Sequence, residues 1–286
     1  MARVRPMTGD DVAPAQEVWD EAFTTMRSSY GLPAAVGAGS AERTRQRIRH
    51  LLTTDAGGSW VAEDDDGKVM GLAQALVRDD LWVLSLLGVA TRGQDRGTGK
   101  ALLDAALGYG REVANGLILC SRDPRAARRY VRAGFHLNPS VSAWGTVDRR
   151  RLPAAPGVRP GTPDDHDFVA ELDRSLRHGA HGPDLDHLLT EGCRLWVLEG
   201  RGYALARGAK PVFMAAEDEE AARDLLWACL AQARSDDVVE VSWMTAHQQW
   251  AADVALDAGL ELHPAGPVMT RDMPVPCLYL PSGAYG

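Results

Sequence analysis

Apolar residues follow two patterns along this chain, short unbroken runs and helical spacings, and the two patterns alternate. The clearest example spans residues 81–107. The apolar run from Leu81 to Val89 predicts a buried strand, and the glycines at 93, 97 and 99 predict a tight loop. Apolar residues at 102, 103, 106 and 107 then recur at helical spacing. The pattern predicts a strand, a loop and a helix in succession, as in an α/β protein.

The segment before this strand divides into further elements by the same patterns. A short strand and a turn rich in capping residues precede a helix whose apolar face begins at Val12, and a second helix is predicted from Ala41 to Leu52. Two strands follow, Trp60–Glu63 and Val69–Val77, with a hairpin turn between them. A glycine inside the central strand, Gly88, indicates a bulge or the close approach of another backbone.

The glycine-rich loop is a candidate phosphate site. A loop of this kind leaves backbone N–H groups unpaired where the helix begins, and the helix dipole adds partial positive charge there. A Walker loop would need a glycine at Gln94 and a hydroxyl at Ala101, and the dinucleotide fingerprint would need a glycine at Leu102. The spacing excludes both. The segment from Gln94 to Gly99 fits a third pattern, Q/R-x-x-G-x-G/A.

A second segment carries an independent signal. After a short apolar strand at Gly116–Cys120, Asp123 and Pro124 have the composition of a helix start. The predicted helix places Tyr130 four residues before a Gly-Phe pair at 134 and 135, which opens the next strand.

These two segments, in this order and at this separation, resemble the GNAT acyltransferase superfamily. The resemblance implies an α/β fold with a mixed sheet of α+β type, and acetyl coenzyme A (acetyl-CoA) as cosubstrate without a metal. It implies that the backbone of Leu87, Gly88 and Val89 pairs with the pantetheine arm, beside a bulge that parts the central strand from its neighbour. It implies that the diphosphate binds at seven consecutive residues, Gln94, Asp95, Arg96, Gly97, Thr98, Gly99 and Lys100. Arg92 is a further candidate for a phosphate contact.

The resemblance also suggests chemical roles. Tyr130 is at the position where the family commonly places the acid that protonates the departing thiolate, which makes it the candidate catalytic residue. Residues of the first helix region would form either one wall of the acceptor pocket or ordinary core, namely Trp19, Phe23 and Tyr30. Asp123 replaces an asparagine found in many relatives, so it either weakens cofactor binding or caps its helix.

A general base is not evident in the central strand. Ser85 is its only polar side chain, whereas family members often carry a carboxylate there. Three other carboxylates could act through a water molecule, those of Glu63, Asp80 and Glu21. The missing base leaves two functions open, an enzyme that acetylates a primary amine by direct transfer and a non-catalytic module that binds acyl-CoA.

The chain contains an internal repeat. The segment Val158–Asp165 echoes Val4–Asp11, and each copy precedes a predicted helix. The repeat predicts tandem GNAT-like domains, a catalytic one at 1–150 and a second one at 158–286, joined by a linker at 151–157. In the second copy the loop positions carry acidic residues and no glycine, and Ala255 stands where Tyr130 would be. We therefore expect a degenerate copy that cannot bind coenzyme A in the usual way.

Composition narrows the class of protein. The 286 residues carry a formal net charge of −8, which disfavours nucleic acid as a partner. The four cysteines are far apart, so neither disulfides nor a zinc site are predicted, and no apolar run is long enough to span a membrane. We expect a cytoplasmic monomer or homodimer that acts on a small-molecule or peptide amine.

Overall fold

The structure, a computed structural model, describes residues 2–30, 40–94 and 96–286. Its α-helices are α1 (Val12–Ser29), α2 (Ala41–Thr54), α3 (Thr98–Tyr109), α4 (Pro124–Arg132), α5 (His166–Arg177), α6 (Pro183–Thr190), α7 (Glu219–Leu230) and α8 (Gln249–Asp257). Its strands are β1 (Arg3–Pro6), β2 (Ser59–Glu63), β3 (Val69–Arg78), β4 (Leu81–Val89), β5 (Asn115–Leu119), β6 (His136–Asn138), β7 (Val141–Thr146), β8 (Val158–Pro160), β9 (Arg194–Leu198), β10 (Gly202–Arg207), β11 (Lys210–Ala216), β12 (Val238–Met244), β13 (Glu261–Pro264), β14 (Val268–Arg271) and β15 (Tyr279–Leu280).

The chain divides into two compact units. The first comprises residues 1–118 and 284–286, and the second comprises residues 119–283. This division differs from the predicted boundary at 151–157, because β7 pairs with β12 and with β13 in one antiparallel sheet. Packing therefore assigns residues from 119 onward to the second unit, whereas the sequence repeat begins again at Val158. The predicted domains at 1–150 and 158–286 describe the repeat and stay a prediction.

In the first unit, β1 to β4 pair in chain order as an antiparallel sheet, and β5 adds in parallel to β4. The two faces of this sheet carry different helices. Leu72 of β3 packs in a core cluster with residues of α1 and α2, whereas its neighbour Gly71 lies against Leu102 of α3. Because successive strand residues point to opposite faces, α1 and α3 cover opposite sides of the sheet.

The second unit repeats the element order of the N-terminal half. The series β1, α1, α2, β2, β3, β4, α3, β5, α4 recurs as β8, α5, α6, β9, β10, β11, α7, β12, α8. Its largest core cluster packs α7 and α8 on the strands around them. The strands β8 to β11 form one antiparallel sheet, with β15 on the outer side of β11.

The sequence echo folds into the same local structure in both copies. Arg5 donates to both carboxylate oxygens of Asp11 at 2.7 and 2.8 Å, and Arg159 does the same to Asp165 at 2.9 and 2.7 Å. In each copy the aspartate also closes a capping box with a threonine three residues earlier. The echo is therefore a shared ion pair and cap that start the first helix of each copy.

Two further findings bear on the class of protein. No helix among residues 2–30, 40–94 and 96–286 is long and apolar enough to cross a membrane. None of the four cysteines forms a disulfide within the described residues; three are buried and Cys277 is exposed.

Candidate functional site

The N-terminus of α3 has the backbone geometry of an anion site. Gly97 is the N-cap and adopts a left-handed conformation with φ +79°, and no side-chain hydrogen bond caps the helix. The first intrahelical bonds run from Lys100 and Ala101 to the Gly97 carbonyl, which leaves the N–H groups of Thr98 and Gly99 ahead of them. An added Cβ at Gly97 would meet no atom of the described residues within 4 Å, so among these residues nothing covers this surface.

Side chains next to the loop tie it to the strand end. The Gln94 side-chain amide donates to the Val89 carbonyl at 3.2 Å, and Arg92 donates to the Val69 carbonyl at 2.6 Å. Arg92 is therefore engaged in holding the loop. Arg96 and Lys100 are exposed, and Lys100 forms an ion pair with Asp104 one turn further along α3. Asp95, predicted to bind the cofactor, lies outside the described residues.

Thr98 adds a polar group that the loop pattern does not reveal. The residue is 2% exposed, and its Oγ1 has no hydrogen-bond partner among the described residues. Its methyl group lies 3.4 Å from the position of a Cβ built on Gly71, which pairs with Val89 in the sheet. Thr98 is thus buried where the start of α3 meets β3.

The strand β4 has an open edge next to this loop. Its parallel ladder with β5 runs from the pair Leu81–Asn115 to the pair Leu84–Ile118 and stops there, although β4 continues to Val89. The Ala90 N–H donates to the Met70 carbonyl at 2.9 Å. The N–H and C=O groups of successive residues point to opposite sides of an antiparallel strand. Since those of Ala90 point towards β3, those of Gly88 do the same, and those of Leu87 and Val89 point to the open side.

The predicted bulge lies at Ser85 and not at Gly88. The register of β3 and β4 shifts between the pairs Ala75–Leu84 and Gln74–Leu86, so Ser85 is the extra residue. A different contact explains why a glycine stands at position 88. A Cβ there would come within 3.2 Å of Leu72 and 3.4 Å of the Trp19 ring, so a side chain, and not another backbone, approaches this position.

Two aromatic residues of α1 lie beside β4. Trp19 stacks on Phe23 with ring centroids 5.5 Å apart, and both are half-buried. The Arg47 guanidinium lies over the Trp19 ring at 5.4 Å, and that of Arg27 lies over Phe23 at 5.5 Å. Trp19 therefore reaches the open-edge part of β4, whereas Tyr30 follows the last residue of α1.

The three candidate bases are engaged in structural contacts. Glu63 is an ion-pair partner of Arg5, at 2.5 Å. Asp80 accepts from the Asn115 side chain at 2.8 Å and precedes the first residue of β4, nine residues and about 30 Å of extended chain away from Val89. Glu21 accepts the Thr91 N–H at 2.8 Å, and this bond is the main cause of its lowered pKa. A carboxylate with a lowered pKa is a weaker base.

Tyr130 lies on α4, in the second compact unit. It is 5% exposed, and burial is the main cause that raises its pKa above the ordinary phenol value. Its carbonyl accepts from the Phe135 N–H at 3.1 Å, and Gly134 has φ +90°. The tyrosine and the Gly-Phe pair therefore form the glycine-terminated end of a helix, which explains their fixed spacing.

Asp123 caps the helix that carries Tyr130. Its carboxylate accepts the Arg125 N–H at 2.8 Å and pairs with the Arg125 guanidinium at 3.0 Å. Burial alone would raise the pKa of Asp123, but the hydrogen bonds and charge of Arg125 outweigh it and lower the pKa. Of the two predicted roles, the structure contains the cap.

The corresponding helix of the second copy begins differently. The N-cap of α7 is Asp218, whose carboxylate accepts the Ala221 N–H at 2.9 Å. Arg201 pairs with Asp218 at 2.7 Å and with Glu220 at 2.8 Å. Its N-terminus is therefore already capped by an anion of the protein, and two carboxylates surround it. This capping agrees with the expectation, from the sequence, that the second copy does not bind coenzyme A in the usual way.

No group of three or more histidine, cysteine, aspartate or glutamate side chains that could hold a metal ion occurs within the described ranges.

The sequence profile of the Acetyltransferase (GNAT) family matches residues 19–135. This segment is similar to a GNAT domain. It contains α1, the sheet from β2 to β5, the glycine loop and Tyr130. No curated protein matches the chain.

Solved structures resemble the whole chain, at low identity. One is a protein of Pyrococcus horikoshii that its name assigns to the acetyltransferases, with 16% identity, a TM-score of 0.78, and coverage of 100% of this chain and 96% of that one. A tandem GNAT protein from the clavulanic acid biosynthesis pathway has 17% identity and a TM-score of 0.59, with 96% and 99% coverage. A GCN5-related N-acetyltransferase from Sphaerobacter thermophilus has 14% identity and a TM-score of 0.60, with 94% and 95% coverage. These likenesses confirm the predicted fold, two tandem GNAT-like domains.

Proposed function

We propose that this protein is an acetyl-CoA-dependent N-acetyltransferase whose working site belongs to the N-terminal copy, residues 1–150, with 151–157 as linker and 158–286 as the degenerate copy. The observation that carries the proposal is the uncapped start of α3 at Gly97, beside the open edge of β4. A diphosphate suits the first feature, because unpaired N–H groups and the helix dipole favour an anion. An extended arm that contains amides suits the second.

The fit can be stated residue by residue. The N–H groups that follow Gly97 would bind the diphosphate, and the exposed side chains of Arg96 and Lys100 would add charge. Leu87 and Val89 would pair with the pantetheine amides, as in the addition of a strand to a sheet edge. Gln94 would act indirectly, because its amide holds the loop on the Val89 carbonyl.

The proposed reaction is direct transfer to a primary amine. The neutral amine attacks the thioester carbonyl carbon, a C–N bond forms and the C–S bond breaks. The nitrogen loses one proton and the departing thiolate gains one. Tyr130 supports the second transfer, since its raised pKa keeps the phenol protonated at neutral pH, the form an acid requires. Because Glu63, Asp80 and Glu21 are engaged elsewhere, we infer that the amine enters in its neutral form.

A specific observation favours a second function. Burial makes the Tyr130 phenol a weak acid, and the three carboxylates are held in structural contacts. A site without a base and with a weak acid suits a module that binds acyl-CoA without turning it over. The two functions therefore share the binding site and differ in the chemistry after binding.

The test measures coenzyme A release from acetyl-CoA with a panel of primary amines, alongside binding by calorimetry. Tyr130→Phe removes the proposed acid, and Tyr109→Phe is the matched control, because the Tyr109 hydroxyl bonds Asp55 at 3.1 Å. We expect steady turnover that is lost only in Tyr130→Phe. Binding without turnover in the wild type would support the acyl-CoA-binding module, and the absence of binding would contradict both functions.

A further inference from the structure

Ser85 has a buried hydroxyl without an internal partner. The residue is 6% exposed, and its Oγ makes no hydrogen bond with any described residue. Buried hydroxyls are nearly always hydrogen-bonded, because removing them from water without a partner is unfavourable. An unpartnered hydroxyl inside a strand whose other side chains are apolar is therefore available to a ligand or to a buried water.

The residue lies at the point where the sheet forks. The ladder between β4 and β5 ends at the pair Leu84–Ile118, so Ser85 is the first residue of the open edge. Ser85 is also the bulge residue, and the bulge reverses the faces of the sheet to which the side chains of β4 point. Before it, Trp82 donates its indole N–H to the Ala106 carbonyl of α3, and after it Leu86 packs in the cluster with α1. Ser85 is thus the extra residue of β4, without a paired residue on β3.

The order of residues along the open edge places Ser85 at the end that is furthest from the loop. The loop at 94–99 lies at one end of this edge, Val89 and Leu87 follow, and Ser85 comes last. From Val89 to Ser85 is four residues, about 13 Å of strand. Acyl-CoA carries its diphosphate and its acyl group at opposite ends of the pantetheine arm. A molecule with its diphosphate at Gly97 and its arm along Val89 and Leu87 therefore extends its thioester towards the fork.

We propose that the Ser85 hydroxyl donates a hydrogen bond to the thioester carbonyl oxygen of the bound acyl-CoA, an assignment that rests on the proposed function. Negative charge develops on this oxygen when the amine adds to the carbonyl carbon, and it disappears when the C–S bond breaks. A donor next to the oxygen stabilises that charge. Because the hydroxyl has no internal partner, it forms the new bond without breaking an old one.

The test compares Ser85→Ala with wild type in kinetics, affinity and thermal stability. We expect kcat to fall about a hundredfold to a thousandfold, the effect of losing one such donor, with Kd for acetyl-CoA within about twofold. The Tm should stay unchanged or rise by a few degrees, because an unpartnered buried hydroxyl is removed. Thr98→Val is the contrasting variant. It removes the other buried unpartnered hydroxyl of this unit, next to the loop, and should raise Kd instead.

A spectroscopic readout makes the result independent of the acceptor. With carbon-13 in the acetyl carbonyl, the infrared stretch of bound acetyl-CoA should lie at lower frequency in wild type than in Ser85→Ala. The assignment to Ser85 is overturned if the two complexes have the same stretch, or if Ser85→Ala raises KM at constant kcat, or if its Tm falls by several degrees. Failure of wild type to bind acetyl-CoA overturns the proposed function and this assignment together. Binding with an unshifted carbonyl overturns the Ser85 assignment alone.

Discussion

Gly97 and Gly67 form a natural matched pair for testing the proposed diphosphate site. Their φ angles are +79° and +78°, and an added Cβ meets no atom within 4 Å at either position. Gly97 begins α3, whereas Gly67 lies in the hairpin turn between β2 and β3. Alanine in the left-handed region costs about 1–2 kcal/mol. Each alanine variant should therefore lose a similar amount of stability, a few degrees in Tm.

Only one of the two variants should lose affinity. Relief of the strain in Gly97→Ala turns the following N–H groups away from the position of the diphosphate. A hydrogen bond to a charged group contributes about 1.5–3 kcal/mol, so the loss of one raises Kd about 10- to 150-fold. In Gly67→Ala the start of α3 at Gly97 keeps its conformation, and Kd stays at the wild-type value.

Titration calorimetry with acetyl-CoA measures both Kd values, and scanning calorimetry measures both Tm values. The reasoning is refuted if the two variants lose the same Tm and bind acetyl-CoA equally well. Equal affinity at equal strain would mean that the left-handed turn before α3 has no part in binding the cosubstrate.

Three further predictions concern single side chains. Thr98→Val should raise Kd for acetyl-CoA severalfold at unchanged Tm, whereas a lower Tm at unchanged Kd would assign the hydroxyl to the fold. Asp218→Ala should lower the free energy of unfolding by about 1 kcal/mol, because a helix cap is lost. Asp218→Asn keeps a hydrogen-bond acceptor and should lower it less. Denaturant titration measures both values. Burial and the charge of Arg177 lower the pKa of His181, against the opposing charge of Asp173. Because its folded pKa lies below the unfolded value of about 6.5, the unfolded chain binds the proton first, and stability should fall as pH drops below about 6.5. Scanning calorimetry should find that His181→Gln lacks the loss of stability caused by protonation of His181. If the pH dependence of its Tm equals that of wild type, this prediction is contradicted.

Local patterns predicted the elements around the site closely. The strand predicted from Leu81 to Val89 has those bounds in the structure, and the predicted strand–loop–helix order is confirmed. The reason is that each signal is local: an unbroken apolar run, then glycines, then helical spacing. The repeat was readable for a similar reason, since Arg5 and Asp11 are only six residues apart and form one ion pair with a capping box.

The position of the bulge was not readable, because β4 is buried on both faces. A half-buried strand shows a bulge as a break in the alternation of apolar and polar residues. In β4 the residues on both faces are apolar apart from Ser85, so the change of face at Ser85 does not alter the pattern. The bulge was therefore predicted at the glycine of the strand, Gly88. The prediction of a bulge at Gly88 was wrong.

The contacts of the candidate bases depend on residues distant in sequence. Glu63 meets Arg5, separated by 58 positions, and Glu21 meets the backbone of Thr91, separated by 70. No local pattern reveals such partners. For the same reason the pairing of β7 with β12 and β13, which moves the packing boundary to 118, could not be inferred from the linker composition at 151–157.

The two copies separate the role of the fold from the role of the loop. Both copies start with the same ion pair and capping box, and both carry a strand, a turn and a helix in the same order. They differ at the start of that helix, where Gly97 leaves N–H groups uncapped and Asp218 supplies a carboxylate. Because an anion of the protein and an external diphosphate would compete for the same N–H groups, we expect the second copy to share the fold and not to bind the ligand. Under the proposed function, binding in the first copy then depends on the few residues from Gln94 to Lys100, because the fold that surrounds them is present twice.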